Sequence, residues 1–166
     1  MAGIPQLQKQ FLDYAASLFN EETLTEQFIR VHKLKPAHNP NFTTTMIAIF
    51  FEGSSKLINT MSELLDQPMV DFTAVYHTAQ TLRGSSATVG AGKIKKICSH
   101  FRNFCDSCNT EMVKRVVRQL HYHNSLLKSK LDNFFMLENQ IQNAGGVIPP
   151  LELERNGYGL ENAGRM

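Results

Sequence analysis

Six prolines in 166 residues, no tryptophan and only three cysteines leave this chain with few fixed points. Each scarcity still excludes something. Three cysteines are an odd number, and no secretory leader pattern precedes them, so the expectation is reduced thiols inside a cell rather than a disulfide framework. No apolar run approaches the ~20 residues that a membrane-spanning helix requires, so no membrane partner is expected. An excess of one charge is missing too. The 17 Lys and Arg against 15 Asp and Glu leave a formal net charge of +2, and the basic residues are scattered along the chain. A nucleic-acid partner is therefore unsupported. Strand-type alternation is absent, and proline stands mainly near the ends of periodic segments. What is present, 42% hydrophobic and 19% charged residues, is ordinary for a globular chain. The length suits one domain with a sizeable core. The class that remains is all-α.

Spacings of three and four divide the chain into six helical stretches. Leu7, Phe11, Ala15 and Leu18 mark one face of a first helix from Gln6 to about Asn20. Thr23 and Glu26 read as a capping box. The helix they start carries Leu24, Phe28, Val31 and Leu34, with Pro36 just beyond its end. His32 and Lys33 suit the negative end of that helix and read as solvated. Asn39-Pro40-Asn41 forms a turn, and Asn41 caps a long helix through Leu65. Its core face is expected to run Phe42, Met46, Ile49, Phe50, Gly53, Leu57, Met61 and Leu64. Pro68 closes that region and Asp71 caps the next helix. A fifth runs from Lys93 to Cys108, with Ile94, Ile97, Phe101, Phe104 and Cys108 facing inward. The last starts at Thr110 and passes through Val116, Leu120, Leu127, Leu131 and Phe134 to about Asn143, where Gly145 is a suitable stop.

Two shorter helices followed by four that can pack antiparallel make a four-helix bundle with an N-terminal extension laid across it. Residues 1–146 read as this single domain. Residues 147–166, with Pro149-Pro150, several glycines and weak periodicity, read as a flexible tail.

Most reactive-looking residues carry little. Cys105 and Cys108 form one CxxC pair, whereas a structural zinc site wants four ligands. A thioredoxin-like role needs a βαβ setting that is absent, so packed free thiols are expected. His121 and His123 diverge by ~200° on a helix and do not share a metal. His38 and His100 are lone surface histidines. No Ser/His/Asp order, GxSxG or glycine-rich phosphate loop is visible. Neither a metal nor any other cofactor is expected.

The stretch Asp71 to Gly90, DFTAVYHTAQTLRGSSATVG, stands apart. Phe72, Val75, Ala79, Leu82, Ser86 and Val89 form a bundle seam. At ~100° per residue the opposite side collects His77, Gln80 and Gly84. Glycine costs ~1 kcal/mol in a helix interior relative to alanine, so Gly84, flanked by Arg83 and Ser85-Ser86, marks a face that something must approach closely. The segment QTLRGSS resembles the HQLKGSS signature of plant histidine-containing phosphotransfer proteins. LQKQFLDYAASLF, LTEQFIRVHKL, FFEGSSKLI, CSHFRNFC and FFMLENQIQNAGG are similar to that family in the same order, over nearly the whole chain.

The resemblance implies a bundle that docks on receiver domains of hybrid sensor histidine kinases and of response regulators, in cytokinin-type signalling among others. It implies a monomer of the cytoplasm and nucleus. It also exposes a departure, because Gln80 stands where the family carries its phosphorylated histidine. A neutral imidazole offers a free lone pair as nucleophile, whereas the glutamine nitrogen has its lone pair drawn into the carbonyl. Arg83 stands in place of a lysine that helps hold phosphate, Gly84 is retained, and Thr81 replaces the usual glutamine. His77 lies ~60° around and ~4.5 Å down the axis from Gln80, a poor substitute where transfer depends on placement. The resemblance extends to Leu24, Gln27 and Phe28 as docking positions, although Leu24 and Phe28 share a face that equally suits packing on the bundle. The function implied is a pseudo-phosphotransfer protein with no catalytic residue, competing for receivers. The alternatives are an active protein using His77, or a helical scaffold unrelated to receivers.

Overall fold

The computed structural model describes residues 3–34, 39 and 41–152. These hold seven helices: α1 Ile4–Asn20, α2 Glu26–Lys33, α3 Phe42–Leu65, α4 Phe72–Val89, α5 Gly92–Cys98, α6 Phe101–Asp106 and α7 Thr110–Asn143. Helices α3, α4 and α7, with α5 and α6 as a broken fourth member, form the bundle. Helix α1 lies along α7, and α2 lies on α4. The expected four-helix bundle with two N-terminal helices is the observed architecture.

Local chemistry sets the ends of the site helix. The Asp71 carboxylate accepts from the Ala74 N–H at 3.0 Å, satisfying a donor that the first turn leaves open. Gly90 then turns the chain with φ +82°, and the Ser86 carbonyl accepts from the N–H groups of both Gly90 and Ala91. Directly after, the α4–α5 turn is hooked to the α1–α2 turn. Thr25 N–H donates to Gly90 O at 2.9 Å, Gly92 N–H donates to Thr23 O at 3.1 Å, and Leu24 pairs with Ala91. A side chain on Gly92 would meet the Glu22 carbonyl at 2.5 Å, and one on Gly90 would collide with the Phe28 backbone. Bare backbone on one side of the hook is what allows so close an approach.

The hook explains the first correction. Thr23 is buried and does not cap α2. The cap is Thr25, whose Oγ1 accepts from Gln27 N–H at 3.3 Å, because residues 23–25 must stay extended to pair with the turn opposite. The second correction concerns His32, which is buried rather than solvated. Its Nε2 lies 2.6 Å from the Glu138 carboxylate of α7, and its ring packs against Phe28 and Phe134. His32 follows Phe28 by one helical turn and so shares its inward face.

Helix α3 keeps its expected period but not its phase. The buried stripe is Thr43, Ile47, Phe50, Phe51, Ser54, Ile58, Met61 and Leu65, whereas Ile49 is 64% exposed. Phe50 and Met61 are common to the expected and observed stripes, and the rest is displaced by one residue, about 100°. Polar residues inside account for it: the Ser54 hydroxyl donates to Asn124 Oδ1 at 2.8 Å across the α3–α7 interface. The expected helix from Lys93 to Cys108 is interrupted at Ser99-His100, and Cys108 is exposed while Cys98 and Cys105 are buried. The bundle also continues past residue 146. The Val147 carbonyl accepts from Gln8 Nε2 at 2.8 Å, Ile148 packs on the core and Leu151 is fully buried. Pro36, His38 and the tail from residue 153 lie outside the described residues.

The His32–Glu138 contact is buried on both sides and joins α2 to α7. Removing Glu138 takes from His32 the carboxylate it meets in the interior, at a cost of about 3 kcal/mol. Glu138→Ala is expected to lower the unfolding free energy by about that amount in urea titrations, and His32→Ala to lower it as well through lost packing on Phe28 and Phe134. A loss below about 1 kcal/mol for both would show that α2 is not part of the cooperative core.

The outer face of helix α4

Val75, Ala79, Leu82 and Ser86 are fully buried along one side of α4, and Val89 nearly so. The predicted seam is therefore the observed one, with Phe72 only half-buried at its start. His77, Thr81, Arg83 and Gly84 are exposed and Gln80 is half-buried. The structure thus brings the five residues singled out on this helix to one solvent-facing side.

The face is chemically quiet in itself. Thr81 Oγ1 turns back to donate to His77 O at 3.1 Å, and Thr88 Oγ1 does the same to Gly84 O at 3.0 Å. Around Gly84 the space is open: an added Cβ would meet no heavy atom within 4 Å. Nothing among the described residues requires glycine there, unlike Gly90 and Gly92. Gln80 supplies an amide that donates and accepts hydrogen bonds but holds no nucleophilic lone pair. Arg83 supplies a permanent cation in a planar fork suited to carboxylate or phosphate.

The flanks of the face come from α5 and α6. Tyr76 lines a small cavity with Cys105 and Asp106. Arg83 stands close enough to Cys98 to oppose, in part, the burial that pushes that thiol up to about 12. Helix α4 therefore runs antiparallel to α5 and α6, with Gln80 between these two levels along its axis.

The second helix contributes differently from expectation. Leu24 is 3% exposed and Phe28 fully buried. Both pack into the core, and neither has surface to give a partner. Of the three expected docking positions only Gln27 is half-exposed. Its Nε2 donates to Thr88 O at 3.2 Å and its Oε1 accepts from Arg30 at 3.3 Å, so it holds α2 against the last turn of α4.

Elsewhere, His121 is hydrogen-bonded with the Ser62 hydroxyl at 3.2 Å. His123 is half-buried, and its pKa is lowered by burial and then by Lys93 and Lys130. Among the described residues no group of three or more His, Cys, Asp or Glu is arranged to hold a metal ion. No described helix is long and apolar enough to cross a membrane.

Comparison with known proteins agrees with this geometry. The family model of the Hpt domain matches residues 45–134, from within α3 to within α7. Over 151 residues the chain is 42% identical to Histidine-containing phosphotransfer protein 5 of Arabidopsis thaliana, across 90% of this chain and 96% of that one. Over 144 residues it is 31% identical to Pseudo histidine-containing phosphotransfer protein 5 of Oryza sativa subsp. japonica, across 87% of this chain and 95% of that one. The solved structure of histidine-containing phosphotransfer protein MtHPt2 from Medicago truncatula aligns with a TM-score of 0.79 at 38% identity, over 85% of this chain and 96% of that chain. A family model matched over more than half the length, with relatives matched almost end to end, means that the chain belongs to the plant histidine-containing phosphotransfer proteins of the Hpt-domain family.

Proposed function

We propose that this member of the phosphotransfer family docks on receiver domains without accepting phosphate, and so restrains the relay by competition. The observation that carries the reading is Gln80, at the centre of the outer face of α4. Phosphoryl transfer needs a nucleophile placed in line with the phosphorus, and an amide nitrogen is not one. The surroundings suit docking all the same. Arg83 is an exposed cation three residues on, and Gly84 leaves the clearance that a partner's loops need. The partners proposed are the receivers of hybrid sensor kinases and of response regulators in cytokinin-type signalling. The reading carries with it action as a monomer in the cytoplasm and nucleus. Relatives of both kinds, with and without "pseudo" in their names, cover the chain, so the choice between them rests on position 80.

His77 is exposed and is the one histidine of helix α4, which makes it the specific rival. Incubation with a phosphorylated receiver separates the two. The unaltered chain is expected to bind the receiver and take up no acid-labile phosphate, and Gln80→His is expected to take it up. Label on the unaltered chain that disappears in His77→Ala would overturn the proposal. Absence of binding to any receiver would leave a helical scaffold of another purpose.

Gly84 provides a second test, because stability and docking should move in opposite directions. With open space at its Cβ, Gly84→Leu is expected to raise the unfolding free energy by about 0.5–1 kcal/mol, the usual gain over glycine in a helix. The same change should weaken receiver binding at least about tenfold, equivalent to roughly 1.4 kcal/mol. Equal or tighter binding by the leucine variant would remove Gly84 from the docking surface.

A further inference from the structure

Cys105 and Cys108 take no part in the seam or the outer face of α4, yet the end of α6 is built around them. The helix closes with two crossed bonds, Asn109 N–H to Phe104 O at 2.9 Å and Cys108 N–H to Cys105 O at 3.0 Å. This closure requires a left-handed residue after the cap, for which glycine is the usual choice. Helix α7 ends in the same way, with Gly145 at φ +85° in that place. In α6 the place is held by Cys108, at φ +53°. A cysteine in a position that favours glycine, three residues after another cysteine, calls for a reason.

The tight turn supplies a geometric one. Residues at the two ends of a hydrogen-bonded four-residue turn have Cα atoms within ~7 Å, and disulfides span Cα separations of roughly 4.4–6.8 Å. The two thiols also differ in access. Cys108 is exposed, whereas Cys105 is buried and borders a cavity of about 200 Å³ shared with Phe72, Thr73, Tyr76 and Asp106. One thiol faces solvent, where it can react first, and the other lies within one hydrogen-bonded turn of it to resolve the product. Their proximity also registers electrostatically: burial pushes the Cys105 thiol up to about 11, with smaller contributions from Asp106 and from Cys108.

We propose that Cys105 and Cys108 form a reversible dithiol–disulfide site whose co-reactant is a small-molecule disulfide of the glutathione class. Cys108 releases its proton to solvent, and its thiolate attacks one sulfur of the small disulfide. That S–S bond breaks, one small thiolate departs, and a mixed disulfide remains on Cys108. Cys105 then releases its proton, its thiolate attacks the Cys108 sulfur, and the second small thiolate leaves. Two protein thiols are oxidised and one small disulfide is reduced to two thiols. Because Cys105 holds its proton tightly, the second step is the slower one. The Cys105 sulfur that the bridge would engage lines the same cavity as Tyr76 of α4. The third cysteine, Cys98, is fully buried and stays outside this chemistry. The site does not depend on the receiver reading.

The test equilibrates the full chain with mixtures of reduced and oxidised glutathione, quenches with acid, alkylates the free thiols in denaturant and locates modifications by peptide mass spectrometry. The expected result is joint loss of the Cys105 and Cys108 thiols as a bridged pair, reversed by reduced glutathione, with Cys98 alkylated throughout. Cys105→Ser is expected to accumulate a glutathione adduct on Cys108, and Cys108→Ser to form no bridge. Three results would each overturn the proposal: a lasting adduct on Cys108 beside a free Cys105 in the unaltered chain, a bridge that includes Cys98, or three free thiols in excess oxidised glutathione.

Discussion

The buried stripe of Val75, Ala79, Leu82 and Ser86 is the constraint on which the rest of the molecule depends. Ala79 and Ser86 are small, so α4 can sit deep among α3, α5 and α6, with α2 across it. Close packing makes the rotation of the helix about its own axis a fixed quantity. Once that rotation is fixed, 3.6 residues per turn place His77, Gln80 and Gly84 on the far side. The hook between Thr23–Thr25 and Gly90–Gly92 then holds α2 against the end of the same helix. The outer face is therefore presented by a rigid support and has no packing duty of its own. That freedom is why its chemistry can change without disturbing the fold.

Position 80 illustrates the point. An imidazole and a carboxamide are both planar, polar and of similar reach. At a half-buried position such as Gln80, they differ in whether a nitrogen lone pair is available to attack phosphorus. On the proposed reading, the guanidinium of Arg83 and the open space at Gly84 would serve recognition and be indifferent to that change. A docking scaffold of that kind, with its cation and clearance but no nucleophile, would be a small chemical step from an active one. The 42% identity to a relative named for its histidine and the 31% identity to one named as a pseudo protein suit a chain in which the scaffold is shared by both.

How much of this was legible in the sequence varied with what filled each interface. The seam of α4 was, because its inward positions are apolar or small and repeat without interruption, and α7 was through its apolar positions, although Asn124 and Glu138 are buried among them. Helix α3 was legible in period but not in phase, since Thr43, Ser54 and its partner Asn124 place polar atoms inside the bundle, where hydropathy would not put them. His32 followed the helix dipole on paper and the core in fact, because the acceptor it needs, Glu138, lies 106 residues away. The α1–α2 turn was misread as a capping box for a similar reason: its hydrogen bonds go to residues 90–92, which are distant in sequence. Leu24 and Phe28 had two readings on one apolar face, and only the packing decides for the core. The identity of residue 80 needed no structure at all, but the openness around Gly84 did.

The most direct measurement is the rate at which phosphate passes from a phosphorylated receiver to a histidine-bearing relative as this chain is added. Competition for the receiver requires that rate to fall as this chain saturates the docking surface, with no label on the chain itself and recovery when more relative is supplied. A rate that is unchanged in large excess of this chain, or that rises as this chain becomes labelled, would contradict the account.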